Sequence, residues 1–184
     1  MTEGRSASAG HGIVRRMLRA ALLESELYEE VEVDGRATRQ AFGVVALSAL
    51  AAGVGGLEHR GLLPIAGYAL IALAGWWIWA AVTYWIGTRL LPGPETEADL
   101  GQLLRTIGFS SAPGVLRILG LVSPIAGWIF LASTLWMLIA MVVAVRQALD
   151  YATTSRALAV CAIGFPIYAL ILVTSMLLLG PWPL

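Results

Sequence analysis

The sequence contains no lysine, only one cysteine and few charged residues of any kind. All twelve basic residues are arginine, and Asp, Glu, Lys and Arg together make up 13% of 184 positions. Soluble domains average about 25% charged residues, so this chain has too few charges to cover a water-exposed surface. The single cysteine, Cys161, excludes an intramolecular disulfide.

Residue types that carry catalysis or bind metals are also scarce. The two histidines, His11 and His59, both lie outside the apolar runs. There is no His-Glu-x-x-His helix, no Cys-x-x-Cys, no phosphate-binding glycine loop and no pair of intramembrane carboxylates. We therefore predict a protein that is not an enzyme, with no catalytic residue, no cofactor and no metal site. Beyond an N-terminal arginine trio there is no basic cluster, so nucleic acid is not an expected partner.

What the sequence does have is long apolar runs, since 58% of its residues are hydrophobic. Runs of this length predict an all-α fold, a polytopic transmembrane helical bundle in one membrane domain, 36–184. We expect five spans, at about 40–57, 63–87, 107–122, 125–145 and 157–180. The third is short, is opened by Pro113 and forms a hairpin with the fourth through a Ser123-Pro124 break. Residues 100–109, capped by Asp99, are expected to lie along the membrane surface.

The region before the first span divides into a predicted disordered start, 1–12, and an amphipathic helix, 13–35. Its basic half, with Arg15, Arg16 and Arg19 beside an apolar stripe, suits the surface of an anionic leaflet. The acidic half from Glu24 onward is expected to tilt away or to pack against basic loops of the same protein. A solvated amphipathic helix is the alternative.

Arginine placement predicts the orientation of the spans. With the N-terminus in the cytoplasm and the C-terminus outside, Arg60 is exterior and Arg117 lies within a span, as the positive-inside rule requires. This places the protein in the cell membrane, of the plasma or bacterial inner type. The cytoplasmic arginines are then Arg15, Arg16, Arg19, Arg36, Arg39, Arg89, Arg105, Arg146 and Arg156.

Arg117 is the strongest candidate site residue, because a charge at membrane depth costs about 2.5–3.5 kcal/mol on insertion scales. We expect it to bond backbone carbonyls freed by Pro113 or Pro124, with a partner or lipid headgroup contact as the alternative. No Asp or Glu lies in any predicted span, which argues against an ion-coupled transporter.

A second candidate site is the polar bend after the fourth span. Asp150 is expected to be compensated by Arg146 and Arg156, either as a docking surface or as a solvated loop.

Two features of the spans suggest helix contacts. Trp76, Trp77 and Trp79 lie near the middle of the second span, where tryptophan is unusual, and are expected to pack against other helices; a ligand-binding role is the alternative. Small residues recur on one face of the first span, at Ser48, Ala52 and Gly56, which predicts close approach of a neighbouring helix.

Three stretches resemble prokaryotic members of the Yip-domain family. They are Leu27-Tyr-Glu-Glu-Val-Glu with Ala-Thr-Arg-Gln-Ala-Phe, Phe109-Ser-Ser-Ala-Pro113 with Leu116, and Trp136 through Val145-Arg-Gln-Ala-Leu-Asp-Tyr to Ser155-Arg-Ala-Leu158. The resemblance implies a cytoplasmic N-terminal segment, five spans and a short exterior C-terminus. Eukaryotic members are associated with vesicle trafficking and Rab GTPases. The region before the first span is only about 39 residues here, which argues against GTPase binding.

These observations favour a non-enzymatic membrane scaffold whose partners are lipids, other membrane subunits or further copies of itself. Its N-terminal helix and the 146–156 bend would be the cytoplasmic docking surfaces. The alternative is an accessory subunit of a larger membrane complex, with the tryptophan face or the small-residue face as its interface. A transporter or channel fits less well, because the spans have little polar lining.

Overall fold

A computed structural model describes residues 12–55, 62–122 and 124–179, and every regular element within those residues is helical. The all-α prediction is therefore confirmed for this part of the chain. The predicted disordered start, 1–12, falls outside it except for Gly12. The elements are α1 (Ile13–Ala21), α2 (Ser25–Val33), α3 (Ala37–Gly55), α4 (Leu62–Trp85) with a π-helical turn (Ile86–Leu90), α5 (Leu100–Ser110), a 3-10 segment (Ala112–Val122), α6 (Ala126–Ala148) and α7 (Thr154–Leu179).

Four helical stretches are long and apolar enough to cross a membrane. They are Ala37–Gly55, Ala69–Leu90, Ala126–Ala148 and Thr154–Ile171. Each corresponds to one of the predicted spans, namely the first, second, fourth and fifth. The prediction of a multi-pass membrane protein is confirmed at this level.

The predicted third span is built from two elements of different winding. Its α-helical part belongs to α5, which begins at Leu100 as predicted, where the side chain of Asp99 accepts a bond from the Gln102 backbone N–H at 2.9 Å in a capping box. The expectation that 100–109 lies along the membrane surface is wrong. Instead α5 packs between α3, α4 and α6 with Leu103, Ile107 and Phe109 buried, because apolar residues on several of its faces all find neighbours.

Glycines allow the 3-10 segment to lie between α3 and α6. A Cβ on Gly114 would overlap the hydroxyl oxygen of Ser48, and one on Gly120 would lie 2.9 Å from the carbonyl oxygen of Gly55. Close backbone approach of this kind is the use of small residues that the sequence predicted for the first span. Pro113 is buried at the start of the segment, as expected for an early helical residue.

The N-terminal region forms two helices where the sequence predicted one. Leu23 separates them with a left-handed φ of 62°. Its N–H bonds the carbonyl of Ala20 and the N–H of Glu24 bonds that of Arg19, at 3.0 and 3.1 Å. This is a Schellman cap, which usually has glycine at the left-handed position. Ending α1 here folds α2 back along it as a hairpin.

Two buried clusters hold the bundle together, and an apolar belt surrounds them. One cluster joins α4, α5, α6 and α7; the other joins α1 and α2 to α3, α5 and α6. Large apolar side chains are exposed on α3, α4, α6, α7 and the 3-10 segment, among them Leu47, Trp77, Leu119, Leu135, Ile139 and Leu170. Exposed apolar side chains in this number suit hydrocarbon and not water.

Candidate functional site

The first candidate site is one end of the bundle, which we call the arginine-rich end. It comprises α2, the π-helical turn, residues 91–99, the start of α5, the end of α6, residues 149–153 and the start of α7. Arg105 donates from Nε to the carbonyl of Val31 at 3.0 Å and from Nη2 to that of Glu32. Gln147 donates from Nε2 to the Glu29 carboxylate at 2.8 Å. These bonds attach α2 to α5 and α6.

Ion pairs join the basic half of the hairpin to its acidic half. Arg16, only 8% exposed, contacts the carboxylates of Glu30 at 2.8 Å and Asp34 at 2.9 Å. Arg19 contacts Glu24 at 2.7 Å and Glu30 at 2.6 Å. The acidic half therefore packs against arginines of α1, the basic half of the same region, and not against the basic loops that the sequence led us to expect.

The pKa directions follow from these contacts. The hydrogen bonds that Arg19 donates to the carboxylates of Glu24 and Glu30 raise the pKa of Arg19. Burial alone would raise the pKa of Glu30, but its bonds with Arg19 and Arg16 outweigh burial and hold that pKa below its usual value.

Glu32 is the exception among these carboxylates. Burial, followed by the nearby negative charge of Asp150, raises the pKa of Glu32 to about 7. Arg105 opposes this shift, while Glu29 and Asp99 add to it. Glu32 therefore titrates in the neutral range at the junction of α2 with the bundle.

Residues 91–99 are fixed to the bend after α6. The Tyr151 hydroxyl donates to the carbonyl of Leu91 at 2.7 Å, and Thr96 Oγ1 donates to that of Leu149 at 2.7 Å. Arg156 donates from Nη1 to the carbonyl of Pro92 at 3.1 Å. Both segments form a single ordered surface.

The expected compensation of Asp150 by two arginines is wrong within the described residues. Arg146 donates to the carbonyl of Tyr151 at 3.2 Å, and Arg156 bonds Pro92 as above. Asp150 is exposed with a φ of 50°. It occupies the left-handed position of a second Schellman cap, where short polar side chains are tolerated.

Helix α1 has an apolar face that the rest of the described chain leaves uncovered. Val14, Leu18 and Leu22, at four-residue spacing, are each more than 60% exposed. At its end, the Ala21 carbonyl accepts a 2.7 Å bond from Trp136 Nε1, in the middle of α6. The uncovered face therefore adjoins the apolar belt of the bundle.

The second candidate site is a cavity of about 290 Å³ in the bundle core. Its lining is mostly apolar and comes from α3, α4, α5, α6, α7 and the 3-10 segment. Arg117 lines it and donates from Nη2 to Thr134 Oγ1 at 2.8 Å, with its guanidinium 5.7 Å from the ring centre of Phe130. The expectation that Arg117 bonds carbonyls freed by prolines is wrong, because the hydroxyl and the ring of α6 lie closer.

The three tryptophans of α4 separate. Trp76 donates from Nε1 to the Leu104 carbonyl at 3.1 Å, and Trp79 is buried with Phe165 and Tyr168 edge-on at 5.7 and 5.5 Å. Trp77 is 52% exposed and faces outward. Trp76 and Trp79 also line the cavity, so the packing and ligand-binding interpretations concern the same two side chains.

Sequence reasoning did not identify Trp136, Arg105 or Tyr151 as connecting residues. Each bonds a backbone carbonyl at least sixty residues away in the sequence. The carbonyl belongs to every residue type alike, so no side-chain pattern marks the acceptor. For Trp136, the indole N–H within an otherwise apolar stretch is the one sequence feature that indicates such a contact.

The apolar belt, the four long apolar helices and the concentration of polar contacts at one end define an integral membrane protein that crosses the bilayer several times. The Yip1 domain model matches residues 26–176, most of the chain, and the chain belongs to that family. The family resemblance seen in the sequence is thereby confirmed. No curated protein and no solved structure matches the chain significantly.

Proposed function

We propose that this Yip1-domain protein is a non-enzymatic membrane scaffold that presents the arginine-rich end as a docking surface in the cytoplasm. The observation that carries this proposal is that two loops and a helical hairpin, distant in sequence, form one bonded surface there. Such a surface keeps a fixed shape without a ligand, which reduces the entropy lost when a partner binds.

A five-span topology is part of the proposal. Residues 100–122 combine eleven residues of α-helix with eleven of 3-10 helix. At about 1.5 and 2.0 Å of rise per residue they reach about 38 Å, more than the ~30 Å of hydrocarbon. If residues 100–122 cross the bilayer, the start of α5 and the end of α6 lie at the same end of the bundle. The bonds of both segments to α2 require this arrangement.

The orientation of the protein in the membrane follows from the arginine content of this end. Together with α1, which is ion-paired to α2, it holds seven of the ten arginines in the described residues, whereas the turn at 124–125 opposite has none. The positive-inside rule then makes the arginine-rich end cytoplasmic. The uncovered face of α1, beside the belt, supports contact of this helix with the inner leaflet.

Oligomeric state separates the scaffold from the accessory subunit. We expect the protein purified in a mild detergent to run as a homo-oligomer of defined mass in light scattering. A fixed stoichiometric partner enzyme would favour the accessory subunit, with exposed Trp77 as a point of contact. Solute flux in liposomes would favour a transporter and contradict the scaffold.

Labelling of single cysteines tests the topology. In a Cys161→Ser background, Glu95→Cys and Thr153→Cys should react with a membrane-impermeant maleimide only after permeabilisation, and Glu58→Cys in intact cells. If residues 100–122 did not cross, Thr153→Cys and Glu95→Cys would label from opposite sides. That result would refute five spans and leave the four apolar helices unaffected.

A further inference from the structure

We propose that the core cavity binds one long-chain fatty acid anion, with its carboxylate at Arg117 and its hydrocarbon chain among the apolar lining residues. The site is independent of the docking surface at the arginine-rich end.

The cavity has the composition of an acyl-chain site. Its lining includes Val45, Ala72, Met137, Leu138 and Phe165. Moving an acyl chain from the bilayer into this apolar cavity would therefore cost little free energy. About 290 Å³ is near the lower end of the range of about 300–1,000 Å³ for small-ligand sites. That volume suits one chain better than the two chains of a phospholipid.

The positive charge at the cavity has no counter-charge within the described residues. Arg117 contacts a hydroxyl and an aromatic ring, and its buried Nε has no acceptor among the residues that the structure describes. The first carboxylates before and after it in the sequence, Asp99 and Asp150, both lie at the arginine-rich end. A cation in hydrocarbon is usually paired, so an anion brought by the ligand would complete the site.

The position of Arg117 favours a carboxylate over a phospholipid headgroup. Thr134 lines the cavity and is also exposed at the bundle surface, so the Arg117–Thr134 pair marks an opening toward the belt. In the five-span topology Arg117 precedes the end of the 3-10 segment, Val122, by five residues, or about 10 Å. A phosphate ester held at the headgroup level would have to descend that far, whereas a free fatty acid carries its charge on a compact end.

Native mass spectrometry of the full-length protein in detergent, titrated with oleate, tests the proposal. The wild type should show one adduct per chain, and oleyl alcohol, with the same chain but no charge, should bind at least about ten-fold more weakly. Arg117→Gln should weaken oleate binding by a similar factor. Arg39→Gln, which removes an exposed arginine outside the cavity, should leave it unchanged.

A second variant keeps the test valid if Arg117→Gln does not fold. Ala72→Phe places a ring in the cavity and leaves Arg117 intact, so it should abolish the oleate adduct. Equal binding of oleate in wild type and both variants would overturn the proposal. So would binding of dioleoyl phosphatidylglycerol or inorganic phosphate, but not oleate, through Arg117.

One more outcome would assign the counter-charge to the chain itself. Glu58 lies outside the described residues. If Glu58→Gln lowered the melting temperature as much as Arg117→Gln, and the double variant added nothing further, the two residues would form an ion pair. That result would overturn the fatty acid as the partner of Arg117.

Discussion

A Cβ atom on Gly55 would overlap the carbonyl oxygen of Arg117, so α3 meets the 3-10 segment backbone to backbone. The contact is rigid on both sides, because neither atom belongs to a side chain that could rotate away. The contact therefore fixes the position of Arg117 along the axis of α3.

Gly55→Ala is therefore expected to destabilise the bundle by about 1–3 kcal/mol, since the added methyl must push two backbones apart. Thermal unfolding in detergent measures the effect. Gly43→Ala, in the same helix, is the matched control, because its Cβ would meet only Ile13 Cδ1 at 3.6 Å. That variant should be neutral or gain about 0.5–1 kcal/mol. Equal melting temperatures for the two variants would contradict the close contact.

Arg16→Gln should loosen the N-terminal hairpin, because it leaves Glu30 and Asp34 without their closest shared cation. We expect a loss of about 1–3 kcal/mol, given that the arginine is buried and the carboxylates are partly solvated. Limited proteolysis before residue 37 and thermal unfolding report it. Arg15→Gln, at an exposed arginine next in the chain, should behave as wild type; faster cleavage in that variant would show that the ion pairs are not the cause.

Glu32 gives the hairpin a pH dependence of definite sign. Its folded pKa is about 7, above the ordinary value of 4.5, so the folded state holds the proton more tightly. The contribution of Glu32 to the free energy of unfolding is therefore complete below pH 4.5 and is lost as the pH rises to 7. After allowance for solvent screening we expect a loss on the order of 1–2 kcal/mol. Glu32→Gln should flatten this fall in melts between pH 5 and 8.

The pH range of that experiment lies above the titration of two other carboxylates. The pKa values of Glu30 and Asp34 are lowered, so their contribution is present above their ordinary values and is lost only in more acidic solution. A melting temperature that rose from pH 5 to 8 would contradict the assignment to Glu32.

Leu23→Gly should stabilise the hairpin turn. A leucine with a φ of 62° carries about 1–2 kcal/mol of steric cost that glycine avoids. Part of the gain is offset by the greater freedom of glycine in the unfolded chain, so we expect about 0.5–1 kcal/mol net. Leu22→Gly, at a φ of −77°, should destabilise instead. A loss in Leu23→Gly would mean that the packing of the leucine side chain outweighs the backbone strain.

The sequence could predict the spans because each depends only on a local apolar run long enough for the bilayer. It could predict the Asp99 cap for the same reason, since both partners of the capping box lie within four residues. The packing of α5 inside the bundle was not predicted, because Arg105 interrupts its apolar pattern and only the folded structure shows this side chain bonding the end of α2.

The candidate site was less predictable than the fold. Arg117 was recognised as unusual from its type and its place in an apolar run, but its contacts with Thr134 and Phe130 depend on the register between the 3-10 segment and α6. The turn at Leu23 was missed because leucine is a poor signal for a left-handed residue.

The bonds of the hairpin to α6 also set when it can dock during synthesis. Ala21 and Trp136 are 115 residues apart, and Glu29 and Gln147 are 118 apart. At about 5–20 residues per second, the ribosome needs about 6–24 s to deliver these partners after the hairpin itself. The first helices to leave the ribosome are thus among the last to reach their final contacts. They can dock only after α6 has been synthesised.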